Sequence, residues 1–166
     1  MNLRLQGLQP IIDKRTKVLI LGSFPGSDSL KMKQYYAYRR NQFWEIMSDM
    51  LKKDIMSLRY NRKKEDLLQN GVGLWDVVKS CRRTGSLDEK ITDCRFNDLT
   101  KLVKKYSNIR VIFLNGRKSE KLFKTGFPTL KSKVLYLPST SPANATITLN
   151  RKIKLWRKMR TYLGSI

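Results

Sequence analysis

Apolar positions along the chain fall into two patterns: short unbroken runs, and longer stripes at helical spacing. The clearest run is Val18-Leu19-Ile20-Leu21, which stops at the turn Gly22-Ser23-Phe24-Pro25-Gly26. Consecutive branched apolar residues without a polar interruption mark a strand buried on both faces. On this basis strands are expected over 17–21, 72–78, 110–114 and 134–137. Phe43, Ile46, Met47, Met50 and Leu51 recur at helical spacing, which predicts an amphipathic helix over 42–52 with Asn41 at its start. Phe96, Leu99, Leu102, Val103 and Tyr106 mark another helix, and Leu149, Ile153, Trp156, Met159 and Leu163 a C-terminal one. Shorter helices are expected at 65–69, stopped by Asn70-Gly71, and at 118–124, broken by Gly126-Phe127-Pro128. A single helical turn fits 28–33, a basic polar segment fits 59–64, and 79–95 reads as an irregular connection.

Strands and helices that alternate with connections of this length argue for one α/β domain over 1–166, with a parallel sheet covered on both faces. In such sheets ligands bind beyond the carboxyl ends of the strands. The post-strand segments 22–26, 76–80, 115–117 and 138–144 should therefore converge. The glycines around Pro25 let the backbone turn sharply and approach a ligand with no side chain between.

Charge adds a partner class. The sequence has 35 Lys and Arg against 13 Asp and Glu, a formal net charge of +22, and a pI near 10.3. Such a field attracts polyanions, of which a nucleic-acid backbone is the commonest inside cells. Lys-rich codon bias is the competing origin of the charge, although the field exists either way. No apolar run approaches a membrane span, and the N-terminus lacks a signal-peptide core, so an intracellular protein is expected. Two cysteines, Cys81 and Cys94, are too few for a disulfide scaffold or a four-cysteine zinc site, and are read as reduced thiols. The sequence contains no histidine, which excludes Ser-His-Asp and Cys-His units and any His-ligated metal. Catalysis must rest on carboxylates, amides, hydroxyls, lysines or the backbone, and no metal site is expected.

Five segments, in order, carry a resemblance: Gly22-Ser23-Phe24-Pro25-Gly26; Tyr35-Tyr36-Ala37 with Asn41-Gln42-Phe43-Trp44; Gly73-Leu74-Trp75-Asp76-Val77; Gly85-Ser86-Leu87-Asp88; and Leu137-Pro138-Ser139-Thr140-Ser141-Pro142-Ala143. Together they resemble the hypoxanthine-DNA glycosylase branch of the uracil-DNA glycosylase superfamily. The resemblance implies a three-layer α/β/α fold around a four-stranded parallel sheet. It implies a monofunctional glycosylase that needs no cofactor and acts on DNA containing a deaminated base, hypoxanthine first and uracil second; a monomer is expected. Such an enzyme flips the base out and hydrolyses its glycosidic bond.

The site residues follow from the same resemblance. Backbone N–H groups of Gly22, Ser23, Phe24, Pro25's neighbours and Gly26 would stabilise the departing base, the alternative being a plain strand-to-loop turn. Many superfamily members carry a water-positioning Asn or Asp where Phe24 stands here, so that task passes to Asn41, whose other reading is a helix N-cap. Asp76 would accept the ring N–H shared by hypoxanthine and uracil, or be an ordinary strand-end carboxylate. Phe24 and Trp75 would sandwich the base, or pack in the core. Ser139, Thr140, Ser141, Pro142 and Ala143 would meet DNA phosphates beside the lesion, or form a plain surface loop, and Arg39 and Arg40, with Arg82 and Arg83, are further phosphate candidates. Two departures stand out: Leu137 replaces the His that opens the last motif in the uracil-excising branch, and Tyr38-Arg39 stands where relatives carry His-Pro. A degenerate glycosylase fold serving as a nucleic-acid or ribonucleoprotein binder, and a nucleotide hydrolase on the same scaffold, are the competing functions.

Overall fold

The computed structural model describes residues 4–83 and 91–164. In chain order the elements are β1 (Leu5–Gln6), β2 (Val18–Gly22), α1 (Ser27–Met32), α2 (Phe43–Leu51), α3 (Tyr60–Gln69), β3 (Val72–Asp76), β4 (Val78–Arg82), β5 (Thr92–Phe96), α4 (Leu99–Lys105), β6 (Val111–Asn115), α5 (Arg117–Gly126), β7 (Val134–Leu137), α6 (Leu149–Trp156), a 3-10 turn (Arg157–Met159) and α7 (Arg160–Leu163).

Every residue of β2 is buried because helices cover both of its faces. Val18 and Ile20 pack with Phe43, Ile46, Met47 and Met50 of α2 and Trp156 of α6. Leu19 and Leu21, on the opposite face, pack with Leu99 and Leu102 of α4 and Phe123 of α5. The period of two along one strand thus feeds two separate cores, and the result is a three-layer α/β/α arrangement. The central sheet runs β3-β2-β6-β7, with every neighbouring pair parallel. Register aligns the strand ends: Gly22 pairs with Asp76, Leu21 with Leu114, and Asn115 with Leu137. The carboxyl ends of all four strands therefore share one edge.

The structure corrects the sequence reading in four places. The second strand ends at Asp76 instead of running through Val78, because the N–H groups of Val77 and Val78 donate to the carbonyls of Gly22 and Ser23 across the sheet edge (2.9 and 3.0 Å). From Val78 the chain enters a second, antiparallel sheet in the order β1-β4-β5, where an irregular connection was expected. In β4 the buried Val78, Ser80 and Cys81 are interleaved with exposed Lys79 and Arg82, and two register shifts against β5 blur the alternation further. Phe96 belongs to β5, where it packs edge-on against Phe127. Finally, α3 takes in the basic segment at 59–64. Only Asp66 and Leu67 of that helix are buried, so a nearly all-polar sequence suffices, and Lys63 and Lys64 lie over the rings of Trp44 and Tyr60. The motif Gly85-Ser86-Leu87-Asp88 lies outside the described residues. Cys81 and Cys94 are unbridged, and among the described residues no helix is long and apolar enough to cross a membrane.

Candidate active site

The common carboxyl edge begins at Gly22 and Asp76. A Cβ added to Gly22 would stand 2.5 Å from Oδ1 of Asp76 and 3.7 Å from the Tyr36 hydroxyl. Position 22 must therefore lack a side chain for the Asp76 carboxylate to sit where it does. Asp76 is 4% exposed, and its carbonyl accepts a hydrogen bond from Nδ2 of Asn97 (2.8 Å). The turn that follows Gly22 is tied to 77–78 by the two backbone bonds described above. Within it, the N–H groups of Phe24 and Gly26 donate to no other described residue.

Helix α2 starts one residue later than expected, with Gln42 at the N-cap position, and Asn41 caps it from the residue before. Its Oδ1 accepts from the N–H of Phe43 at 3.0 Å, which satisfies one of the open donors at the start of α2. Its Nδ2 has no partner among the described residues, so the amide is held in place with its donor group still available. The neighbouring Gln42 anchors this segment twice. Its N–H donates to the carbonyl of Thr140 (3.0 Å), and its Oε1 accepts from Nζ of Lys152 (2.8 Å). Lys152 is 1% exposed, and burial pulls its ammonium below the usual lysine range.

Asn115 binds the third and fourth strand ends together. Its Nδ2 donates to the Tyr36 hydroxyl and to Oγ1 of Thr140, both at 3.1 Å, and its Oδ1 accepts from the Thr140 N–H at 3.0 Å. Gly116 follows with φ +97°, and a Cβ there would stand 2.9 Å from Cβ of Ser139. The Asn-Gly pair thus lets the 138–144 loop dock. Tyr36 stacks on Phe43, with ring centroids 3.8 Å apart and planes 14° from parallel. Trp156 of α6 donates from Nε1 to the carbonyl of Pro138 at 3.0 Å. The contacts form a continuous path from Asp76 through Gly22, Tyr36, Asn115, Thr140 and Gln42 to Asn41. That path assembles the site from segments spread along the chain between Gly22 and Thr140.

Several expected roles change. The sandwich of Phe24 and Trp75 is not assembled. Phe24 is buried with Val78, Cys81 and Ile91 in the small core of the antiparallel sheet, beneath the Arg83 guanidinium. Trp75 packs at the sheet edge and donates from Nε1 to the Leu8 carbonyl (3.2 Å). Both rings are packing residues, the alternative left open by the sequence. Thr140 is 1% exposed and its hydroxyl is bound by Asn115, so it braces the loop and does not face phosphate. Ser139 and Ser141 each accept a backbone N–H within the loop (3.2 Å both), while Pro142 and the exposed Ala143 complete its outer side. Arg39 and Arg40 are exposed and without an ion pair among the described residues. Arg82 pairs with Asp93 and Arg83 is buried, so these two are poor phosphate contacts.

Tyr36 and Gln42 lie in the motif segments and Asn115 in a post-strand segment expected to converge, but none of them, nor Lys152, was given a role in the site from sequence. Lys152 leaves a trace there: it lies three residues after Leu149 and four before Trp156, inside the apolar stripe of the C-terminal helix.

Comparison with known proteins bears on the family and the fold. The model of the uracil DNA glycosylase superfamily matches residues 9–160. A protein named hypoxanthine DNA glycosylase from Methanosarcina acetivorans is 37% identical over 151 residues, covering 89% of this chain and 92% of that protein. A protein of the same name from Methanosarcina barkeri is 40% identical over 114 residues, covering 69% and 72%. The solution NMR structure of a candidate uracil DNA glycosylase from M. acetivorans superposes with a TM-score of 0.82 at 32% identity, over 95% of this chain and 99% of that one. With its parallel sheet, its glycine turn and its carboxyl-edge site, the chain belongs to the uracil DNA glycosylase superfamily.

Proposed function

We propose that this chain is a monofunctional DNA glycosylase that flips a deaminated base out of DNA and hydrolyses its glycosidic bond, with hypoxanthine the preferred base and uracil a poorer one. The observation that carries the reading is the carboxylate of Asp76 seated over Gly22 at the same sheet edge that holds the capped amide of Asn41. Asp76 accepts the N1–H of hypoxanthine or the N3–H of uracil, a hydrogen that the adenine ring lacks. As the bond from C1′ to the base lengthens, positive charge grows on the sugar and negative charge on the base. The N–H groups of Phe24 and Gly26, unpartnered among the described residues, meet that negative charge. Asn41 orients the attacking water through Nδ2 and the second lone pair of Oδ1. Water oxygen bonds to C1′, the bond to the base breaks, and the proton released by water ends on the base or in solvent. The products are an abasic site and the free base.

In the absence of histidine, the leaving base is helped by backbone dipoles or by the groups around Asp76, which fits a preference for the purine lesion named in the two relatives over uracil. Exposed Arg39 and Arg40, with the outer face of the 138–144 loop, hold the phosphates beside the lesion. The protein acts inside the cell, as a monomer and as one domain.

The test is one panel: oligonucleotides bearing hypoxanthine, uracil or xanthine are incubated with wild type and Asn41→Ala, then treated with alkali to cleave abasic sites. Cleavage at hypoxanthine by wild type, lost in the variant, is the expected result. Tight DNA binding with no cleavage at any lesion would replace this reading with that of a binding protein.

A further inference from the structure

At the amino end of the central sheet, opposite the candidate active site, lies a cavity of about 490 Å³ bordered by Lys14, Arg15, Lys17, Asn70, Asn108 and Arg110. The residues just before three strands build its floor. The N–H groups of Lys17 and Val18 both donate to the Gly71 carbonyl, and Arg110 donates from its N–H to the Lys17 carbonyl (2.8, 3.0 and 2.7 Å). Asn108 donates from Nδ2 to the Lys14 carbonyl at 2.7 Å, and Nζ of Lys17 donates to the Leu163 carbonyl at 3.0 Å. The walls are therefore set by hydrogen bonds before any ligand arrives.

Among the described residues four cations and three side-chain amides line this cavity, and no carboxylate does. Arg15 is paired with Asp13 and Lys17 is engaged with a carbonyl. Lys14 and Arg110 are exposed and without an ion pair among the described residues. Elsewhere the few acids sit among the cations: Asp49 faces Arg157 and Arg160, Asp93 faces Arg4 and Arg82, and Glu120 faces Arg117 and Lys124. Like charges gathered in a concavity repel one another unless an anion enters.

The five residues of β2 separate this cavity from the carboxyl edge by roughly 15 Å of strand, and the two face opposite ways. Phosphates held at the active-site edge are thus not those that reach the cavity. We propose that the cavity takes phosphodiester groups of a second DNA segment, so that the protein bridges two segments and passes from one to the other without full release. The proposal rests on the DNA glycosylase reading above.

The experiment follows dissociation of a labelled, undamaged duplex from the intact protein as unlabelled duplex is raised. Wild type should dissociate faster with increasing competitor, which marks direct transfer. The double variant Lys14→Gln/Arg110→Gln should lose that dependence and show a transfer salt slope smaller by about two. Its single-turnover excision of hypoxanthine and its Tm should stay at wild-type values. A wild-type rate independent of competitor, or equal transfer by the variant, overturns the proposal. So does protection of wild type but not the variant by inorganic phosphate at constant ionic strength while both transfer alike, which would mark a small-anion site. Failure of all excision by wild type would instead remove the glycosylase reading, because the transfer assay contains no lesion.

Discussion

Oδ1 of Asp76 lies 2.5 Å from the point that a Cβ on Gly22 would occupy. The two residues are register partners on adjacent parallel strands, so the first motif's glycine and the third motif's aspartate are halves of one feature. The glycine leaves a gap and the carboxylate fills it.

Gly22→Ala therefore displaces the carboxylate, since no rotamer change at alanine relieves the overlap. Excision should fall at least about 10-fold, with a stability loss of about 1–3 kcal/mol typical of overpacking. Single-turnover excision and chemical denaturation measure the two. Unchanged excision would remove Asp76 from base recognition.

Asn41 has a capping bond and a free amide donor, and two substitutions separate them. Asn41→Ala should lose about 100-fold or more in excision and about 1 kcal/mol in stability, with DNA affinity nearly unchanged. Asn41→Ser can still cap, so it should recover the stability and not the excision. If serine restored both, the amide would be a cap and nothing else.

Asn115→Ala removes the two bonds to Thr140 and the one to the Tyr36 hydroxyl. The Thr140 N–H would be left buried without an acceptor, at about 1–3 kcal/mol. Amide hydrogen exchange should accelerate across 138–144 and leave 99–105 unchanged. Uniform acceleration over the whole chain would mean that Asn115 stabilises the fold generally and not the loop.

Lys152 provides a pH signature. Its folded-state pKa is lowered by burial from the ordinary value of 10.5, so the folded chain gives up this proton more readily than the unfolded one. The charged form costs stability, in full below the folded pKa, and the cost fades as pH rises toward 10.5. Wild type should thus gain Tm relative to Lys152→Met as pH is raised through that interval. The variant should also lose excision several-fold at neutral pH, through the slackened Gln42. Parallel Tm curves would show that Lys152 is no less charged than a surface lysine.

Tyr35 marks the limit of such titration. Burial, then the charge of Asp76, pushes its hydroxyl well above the usual tyrosine range. It remains a donor to the Gln9 carbonyl (3.0 Å) throughout the pH range in which the enzyme can be assayed.

Local pattern sufficed for much of this molecule. The unbroken run Val18 to Leu21 could only be a doubly covered strand, and the stripes through Met47 and Trp156 could only lie on a sheet face. The glycine turn, Asn41, Asp76 and the Pro-Ser-Thr-Ser-Pro loop could be named as candidates through the family resemblance, because each is a short motif at a strand or helix end. What stayed hidden depends on partners far away in sequence. The antiparallel β1-β4-β5 sheet has short strands whose alternation is broken by register shifts. The basic start of α3 looks like a loop until the sheet beneath it is present.

The sequence by itself determined the layers, the convergence of the post-strand segments at the strands' carboxyl ends, the charge that attracts polyanions, and the exclusion of histidine chemistry. Each of these follows from composition or from contacts between near neighbours in the chain. Only the tertiary structure decided what the individual side chains do there. Phe24 and Thr140 turn inward because a packed core and a buried hydroxyl bond, to partners 54 and 25 positions away in the sequence, outweigh exposure in a ligand pocket. Asn115 and Lys152, which carry no motif, become supports of the site because folding brings them to Thr140 and Gln42.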